Sequence, residues 1–143
     1  MENYMKLEFP SKGVNESFAR AAVGVFATQL DLNVEELADI KTAVSEAVTN
    51  AIIHGYADTK GMVEVVCRLS GNEIAVTVKD TGKGIEDIEL AMQPLYSGTT
   101  DEDRSGMGFT VMESFMDTLT VDSAPGKGTV VTMTKRVGID TYA

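Results

Sequence analysis

The sequence predicts an α+β two-layer sandwich, in which helices cover one face of a mixed, mainly antiparallel β-sheet. Three observations predict it. Two N-terminal stretches have apolar residues at helical spacing, later apolar runs are paired by glycine-containing turns, and no internal repeat or linker is visible. Because 143 residues with 43% hydrophobic content suit one packed domain, we expect a single domain over residues 1–143.

The first expected unit is a strand followed by a helix. The strand covers residues 4–10 and ends at Pro10. The helix is expected to run from a capping residue at or near Asn15 to about Asp31. Apolar residues such as Phe18 and Val25 recur along it at helical spacing.

The second helix has the strongest signals in the sequence. Asn33 followed three residues later by Glu36 has the spacing of a capping box. An apolar stripe then runs from Ile40 to Ile52, and Gly55 is expected to end the helix. These signals predict a long helix with one apolar face.

The remaining chain is expected to form two hairpins and two further helices. Gly71 and Asn72 predict a tight turn in the first hairpin, and the glycine-rich turn after Pro125 predicts the second. A long irregular stretch separates the hairpins. The expected strands cover residues 62–69, 73–78, 119–121 and 129–135, and the expected helices cover residues 86–92 and 106–115.

Charge and composition exclude several classes of protein. The formal net charge is −10, with 22 acidic against 12 basic residues, so direct binding to nucleic acid is not expected. We find no basic region followed by an apolar stretch at the N-terminus and no run long enough to cross a bilayer. We therefore expect a cytoplasmic protein without a membrane partner, in which the single cysteine, Cys67, is a buried thiol.

Glu46 and Asn50 are the first candidate site residues. They lie four positions apart on the long helix, so both side chains emerge on one face, away from the apolar stripe. A carboxylate and an amide placed this way suit a polar site. A solvated helix side with an ordinary i,i+4 polar pair is the other interpretation, and the pair alone does not decide.

Asp80 is the second candidate, because it is expected near the end of a strand and is followed by Gly82 and Gly84. A carboxylate there can accept a hydrogen bond from an exocyclic amino group such as that of adenine. The two glycines leave backbone bare enough for a flat ring to lie against it. A loop with turn glycines is an equally open interpretation.

Two further glycine motifs are weaker signals. Gly106 and Gly108, after Ser105, lie at the expected start of a helix, where free N–H groups and the helix dipole favour phosphate. This segment matches neither a Walker A loop nor a dinucleotide-binding fingerprint. Gly128 and Thr129, taken alone, predict only a hairpin turn.

Together, the four motifs resemble those of the GHKL ATPase/kinase superfamily. Its N, G1, G2 and G3 boxes are similar in order and rough spacing to Glu46-x-x-x-Asn50, Asp80-x-Gly82-x-Gly84, Gly106-x-Gly108 and Gly126-x-Gly128-Thr129. The resemblance covers about residues 33–135. It sharpens over residues 50–56, which resemble the serine kinases that act as anti-sigma factors. It implies the ATP-binding (Bergerat) fold of that superfamily, with ATP and Mg²⁺ as cofactors.

The resemblance also implies a role for each motif residue. Asn50 would coordinate Mg²⁺ through its amide oxygen, and Asp80 would select adenine. Glu46 would act as the general base toward an attacking serine hydroxyl. The remaining nucleotide contacts implied are Gly82 and Gly84 beside the base and sugar, Ser105, Gly106 and Gly108 at the phosphates, and Thr129 on the adenine side.

The stretch from Met92 to Ser105 corresponds to the ATP lid of the superfamily. Thr99 is a candidate nucleotide contact within it, because the segment is rich in glycine and hydroxyl groups. Arg104 is the candidate for a γ-phosphate contact. A surface arginine paired with Asp101 or Glu102 is the equally open alternative.

The function that the resemblance implies is a serine/threonine protein kinase with a second, inhibitory role. Such proteins bind a sporulation sigma factor in an ATP/ADP-dependent complex, phosphorylate an anti-anti-sigma protein on serine, and act as homodimers. The alternatives are a histidine-kinase-type catalytic domain, an ATPase module like that of gyrase or Hsp90, and a nucleotide-dependent binding module without phosphotransfer. Glu46 counts against the last, since a non-catalytic site needs no base.

Overall fold

The computed structural model describes residues 2–55, 61–85, 88, 92 and 108–138. This part of the chain contains five strands and three α-helices, and a π-helical turn, Ala51–Gly55, continues the second helix. In chain order they are β1 (Glu2–Pro10), α1 (Val14–Ala27), α2 (Val34–Asn50), β2 (Met62–Ser70), β3 (Glu73–Asp80), α3 (Gly108–Phe115), β4 (Thr118–Ser123) and β5 (Thr129–Arg136).

The strands form one sheet in the order β1-β2-β3-β5-β4, and each described pairing is antiparallel. Alternate residues of the central strand β3, such as Ile74, Val76 and Val78, are buried. These side chains pack in one core with the buried stripes of α1, α2 and α3, so the helices cover a single face of the sheet. The predicted two-layer α+β class is confirmed.

The N-terminus of α2 confirms the predicted capping box. The Glu36 amide donates to Asn33 Oδ1 at 2.7 Å, and the Asn33 amide donates to Glu36 Oε1 at 2.9 Å. The apolar stripe is buried, including Ile40, Ala43 and Val44. Because the helix N-terminus is locally satisfied, its start depends on neighbouring residues alone.

The bounds predicted for α1 are wrong at both ends. The helix begins at Val14 after Gly13, which makes no side-chain cap, and the Asn15 side chain instead donates to the Pro10 carbonyl at 2.9 Å. At the other end the helix stops at Ala27, four residues before the predicted Asp31. The Thr28 hydroxyl bonds back to the Val25 carbonyl at 2.6 Å, a local bond that competes with helix continuation.

The hairpin turn at Gly71 is confirmed, and this glycine has a positive φ of 61°. Cys67 is fully buried in β2, as predicted, and burial raises the pKa of its thiol to about 12. The predicted helix over residues 86–92 lies almost wholly outside the described residues, as does the predicted start of α3 at Gly106. None of the described helices is both long enough and apolar enough to cross a membrane.

Candidate functional site

Glu46 and Asn50 are half-buried on the last two turns of α2, where this helix packs against α3. Gly108, the first residue of α3, lies directly against them. A Cβ added at Gly108 would lie 2.9 Å from Asn50 Nδ2, 3.2 Å from Asn50 Oδ1 and 3.2 Å from Glu46 Oε2. The predicted carboxylate–amide pair and the second glycine motif, 58 positions from Asn50, therefore meet at one place. The solvated-side interpretation of the pair does not fit this packing.

The helix changes its geometry immediately after Asn50. Ala51–Gly55 forms a π-helical turn, and the sequence contains no signal that predicted it. Single π-helical turns within α-helices occur frequently at functional sites. This turn contacts β3, so the end of α2 lies over the strand that ends at Asp80.

Asp80 is buried, with 5% of its surface exposed, at the end of β3. It continues the buried alternation of that strand, so its side chain lies on the helix-covered face. Burial raises the pKa of its carboxyl, while hydrogen bonds from the backbone N–H groups of Gly82 and Thr129 act to lower it. The Gly82 bond to Oδ1 measures 2.9 Å. A buried carboxylate that retains acceptor capacity is suited to a ligand with N–H donors.

The register of the sheet extends Asp80 into a polar row. Asp80 pairs with Thr129 across β3 and β5, and Thr129 pairs with Ser123 across β5 and β4. Directly opposed residues of antiparallel strands point to the same face, with Cβ atoms about 4.5–5.5 Å apart. The Ser123 and Thr129 hydroxyl oxygens lie 2.8 Å apart.

The loop after β3 and the turn between β4 and β5 interlock. The Gly126 amide donates to the Lys83 carbonyl at 2.6 Å. Gly84, with φ of 76°, lies so close to the turn that an added Cβ would meet the Ala124 carbonyl oxygen at 1.9 Å. Gly128 is as tightly placed, since a Cβ there would lie 2.1 Å from the Asp80 carbonyl oxygen. The Gly82–Gly84 motif and the Gly126–Gly128 motif therefore form one unit around Asp80.

Comparisons with known proteins bear on this arrangement. Residues 9–135 match the histidine kinase-like ATPase domain family. The chain is 61% identical to the anti-sigma F factor of Thermoanaerobacter sp. (strain X514) over 96% of both chains. It is 53% identical to that of Clostridium acetobutylicum over 97% of both chains.

The chain belongs to the anti-sigma F factor family. Its fold is also similar to part of the solved structure of the RsbU and RsbW domains of a Mycobacterium tuberculosis protein, with a TM-score of 0.68 at 22% identity. That alignment covers 94% of this chain and 32% of the solved chain. The resemblance to GHKL proteins inferred from the four motifs is thus confirmed, and so is the ATPase-type domain.

In this member of the anti-sigma F factor family, the structure brings the predicted residues together in two groups. One is the α2–α3 group, Glu46, Asn50 and Gly108. The other is the Asp80 group, Asp80, Gly82, Gly84 and Thr129. Four predicted residues lie outside the described residues, namely Thr99, Arg104, Ser105 and Gly106.

Sequence reasoning missed Ser123. Its hydroxyl contacts the Ile85 amide, the Gly128 carbonyl and the Thr129 hydroxyl, yet a serine at the end of a short strand carries no signal of its own. The register of β4 against β5 could have indicated it, since Ser123 opposes Thr129 directly. That register depends on which residues form the turn between β4 and β5, and the sequence alone does not specify them to the residue.

Proposed function

We propose that this anti-sigma F factor family member is an ATP-dependent serine/threonine protein kinase that also binds and inhibits a sporulation sigma factor. The observation that supports it most is the meeting of Glu46, Asn50 and the N-terminus of α3 at Gly108. Free N–H groups at a helix N-terminus favour phosphate, an amide oxygen suits Mg²⁺, and a carboxylate can take up a proton. These are the parts that phosphoryl transfer requires.

At the adenine end, Asp80 is proposed to accept a hydrogen bond from the exocyclic amino group of ATP. The residues fit this role, because the carboxylate is buried, held by Gly82 and adjacent to the Thr129 hydroxyl. A buried acceptor left without a ligand donor is costly, so the pocket favours a base that supplies one. Gly82 and Gly84 leave the loop backbone without side chains beside the base and sugar.

At the phosphate end, Asn50 is proposed to hold Mg²⁺ through Oδ1, with phosphate oxygens and water as its other ligands. A neutral ligand suits a site that already contains the phosphate charge. Mg²⁺ would neutralise charge on the phosphates during transfer. The described residues contain no cluster of three or more acidic, histidine or cysteine side chains that could hold a metal ion.

The proposed reaction uses Glu46 as general base. Glu46 takes the proton of the attacking serine hydroxyl as the serine oxygen forms its bond to the γ-phosphorus. The bond from that phosphorus to the bridging oxygen breaks, and ADP leaves with the electron pair. General-base catalysis of this kind contributes about 10²–10⁴ in rate. We propose Arg104, Thr99, Ser105 and Gly106 as further contacts to the phosphates and the lid side of ATP.

The proposed partners are a sigma factor, an anti-anti-sigma protein as phosphorylation substrate, and a second copy of this chain. A sigma-factor partner would place the protein in the cytoplasm. We assign the homodimer contact to the α1–β1 face, the apolar surface formed by Met5, Phe18, Ala21, Ala22 and Val25. Phe18 and Val25 are 55% and 72% exposed there, although both are large and apolar. A nine-residue edge strand, β1, runs beside them.

An edge strand and an apolar helix face next to each other are surfaces that proteins cover by association. A second copy provides the same strand and the same helix face, so both can be covered in one symmetric contact. This is why we assign the face to the homodimer. The proposal leaves the nucleotide groups on α2, β3 and α3 accessible to the other partners.

The test is a phosphotransfer assay. The protein is incubated with γ-labelled ATP, Mg²⁺ and candidate anti-anti-sigma proteins, and the product is treated with acid. We expect an acid-stable phosphoserine. An acid-labile product would indicate histidine-kinase-type chemistry, and nucleotide binding without transfer would indicate a binding module.

Glu46→Gln is expected to retain ADP affinity and to lose transfer by about 10²-fold or more. Glu35→Gln is the matched control, because Glu35 is an exposed glutamate in the first turn of the same helix. A Glu46→Gln variant that transfers phosphate at the wild-type rate would remove the general-base assignment.

A further inference from the structure

We propose that Ser123, a residue outside the four glycine and acidic motifs, is a positioning residue that sets the adenine selectivity of the nucleotide pocket. It does so by fixing the direction of the Thr129 hydroxyl beside Asp80. The inference rests on the proposed ATP-binding function and deepens it, since it concerns which purine the same pocket accepts.

Asp80, Thr129 and Ser123 form one row across β3, β5 and β4, at the end of the sheet where the site lies. Thr129 is 8% exposed and Asp80 is 5% exposed, and they are the two polar residues in the buried set of the described chain. Ser123 is half-buried at the outer end of the row. It therefore supports the two inner residues from the side of β4.

A serine hydroxyl has one proton to donate and two lone pairs to accept with. The Ser123 oxygen lies 2.8 Å from the Gly128 carbonyl, which can only accept, so the Ser123 proton is donated there. The Ile85 amide donates to the Ser123 oxygen at 2.8 Å. The Ser123 oxygen also lies 2.8 Å from Thr129 Oγ1. Because the Ser123 proton is already donated to Gly128, Thr129 is the donor in this hydrogen bond.

The consequence is that Thr129 has no proton left for a ligand. Its hydroxyl proton points at Ser123, so a ligand at this place meets only the lone pairs of Oγ1. Asp80, when ionised, is also an acceptor only. Two adjacent acceptors favour a purine with an amino group at C6, as in adenine, and disfavour one with a carbonyl there, as in inosine or guanine.

The same hydroxyl also joins the two loops around the base. Ile85 follows Gly84 in the loop after β3, and Gly128 ends the turn between β4 and β5. Ser123 is hydrogen-bonded to both, and the Gly126–Lys83 backbone bond joins the same two segments. Loss of the backbone contacts alone would weaken all nucleotides equally. Loss of the fixed direction of the Thr129 hydroxyl would change the ratio of the affinities for adenine and other purine nucleotides.

The test compares the binding of ADP and IDP, which differ in the C6 group, by calorimetry on wild-type protein and Ser123→Ala. In the variant, Thr129 can turn its proton toward the ligand and donate to a C6 carbonyl. We expect the ratio of ADP affinity to IDP affinity to fall by about fivefold, the effect of one neutral hydrogen bond. Ser123→Thr, which retains the hydroxyl, should restore the wild-type ratio.

Ser70→Ala is the matched control, because Ser70 ends β2 and its hydroxyl donates to the exposed Glu2 carboxylate at 2.9 Å. Ser123→Cys, close to serine in volume, is measured in parallel in case the alanine variant does not fold, and should show the same lowered ratio. A ratio equal to wild type in both Ser123→Ala and Ser123→Cys overturns the role of Ser123, even if both affinities fall. Wild-type protein that binds no ADP would instead overturn the proposed function.

Discussion

We expect Asp80 to lower the stability of the fold and to favour the proposed binding of adenine. Burial raises the pKa of its carboxyl above the value of 3.8 that an unperturbed aspartate has, because the charged form loses hydration. Between the pKa of Asp80 in the unfolded chain and its higher pKa in the folded protein, the carboxyl is ionised when the chain is unfolded and still protonated when it is folded. Stability therefore falls as pH rises through this window, and above it the full cost of the buried charge remains. The proposed binding of adenine by Asp80 gives a physical reason for a carboxylate at this place despite that cost.

Asp80→Asn should separate the two effects. Asparagine does not ionise, so the variant lacks the pH-dependent cost of burying the Asp80 charge. Without nucleotide, the melting temperature of the variant minus that of wild type should therefore increase as pH is raised from about 4 to about 7. ADP affinity should fall by about 10- to 100-fold, the effect of losing a hydrogen bond to a charged acceptor. Thermal melting at several pH values and calorimetry measure the two quantities.

Asp122→Asn is the control for the loss of one charge from a net −10, since Asp122 is exposed on β4. A relative melting temperature that does not change with pH in Asp80→Asn would contradict the proposed cost of burial. Unchanged ADP affinity would contradict the role of Asp80 in binding adenine.

At the scale of the element, α2 is held at several points along its length. Its capping box satisfies the N-terminal amides, and the Glu36 carboxylate also accepts from the Gly138 amide at 3.2 Å, after the end of β5. In the middle, the Ser45 hydroxyl donates to the Glu16 carboxylate of α1. These contacts hold in place the helix that contains Glu46 and Asn50, which preorganises the α2–α3 group.

Asn33→Ala tests whether the capping box of α2 affects the stability of the protein or the rate of phosphotransfer. Loss of an N-cap costs about 1 kcal/mol, which corresponds to a decrease of about 2–4 °C in melting temperature for a domain near this size. We expect phosphotransfer at saturating ATP to remain within twofold of wild type, because Asn33 lies more than three helical turns from Glu46. Asn33→Asp, which retains a capping oxygen, should melt like wild type. A loss of phosphotransfer in Asn33→Ala without loss of stability would contradict the expectation that this cap affects stability and not the reaction.

At the scale of the whole molecule, the α1–β1 face predicts the oligomeric state. Val25→Asp places a charge on that face and should convert a dimer into a monomer, measured by sedimentation equilibrium. ADP binding should be retained, because α1 contributes no residue to either group of the site. Val34→Asp is the matched control, since Val34 is 83% exposed at the start of α2, outside the face. A dimeric Val25→Asp variant, or a monomeric wild type, would contradict the assignment.

Several features of fold and site could be predicted because their causes are local. Asn33 and Glu36 are three residues apart and satisfy each other, so the start of α2 is visible in the sequence. The turn at Gly71 needs a positive φ, which glycine adopts most readily. The cap of α1 was predicted at or near Asn15, whereas Gly13 occupies the cap position and the Asn15 side chain donates to the Pro10 carbonyl instead.

The sequence by itself determined the two-layer class, the long second helix, and the identity of Glu46, Asn50, Asp80 and the glycines as a set. Only the tertiary structure decided that Gly108 lies against Glu46 and Asn50, that a π-helical turn follows Asn50, and that Ser123 completes the row begun by Asp80. The physical reason is range. Caps, turns and periodicity depend on residues a few positions apart, whereas strand register and helix packing depend on contacts between residues far apart in the chain, which no local pattern specifies.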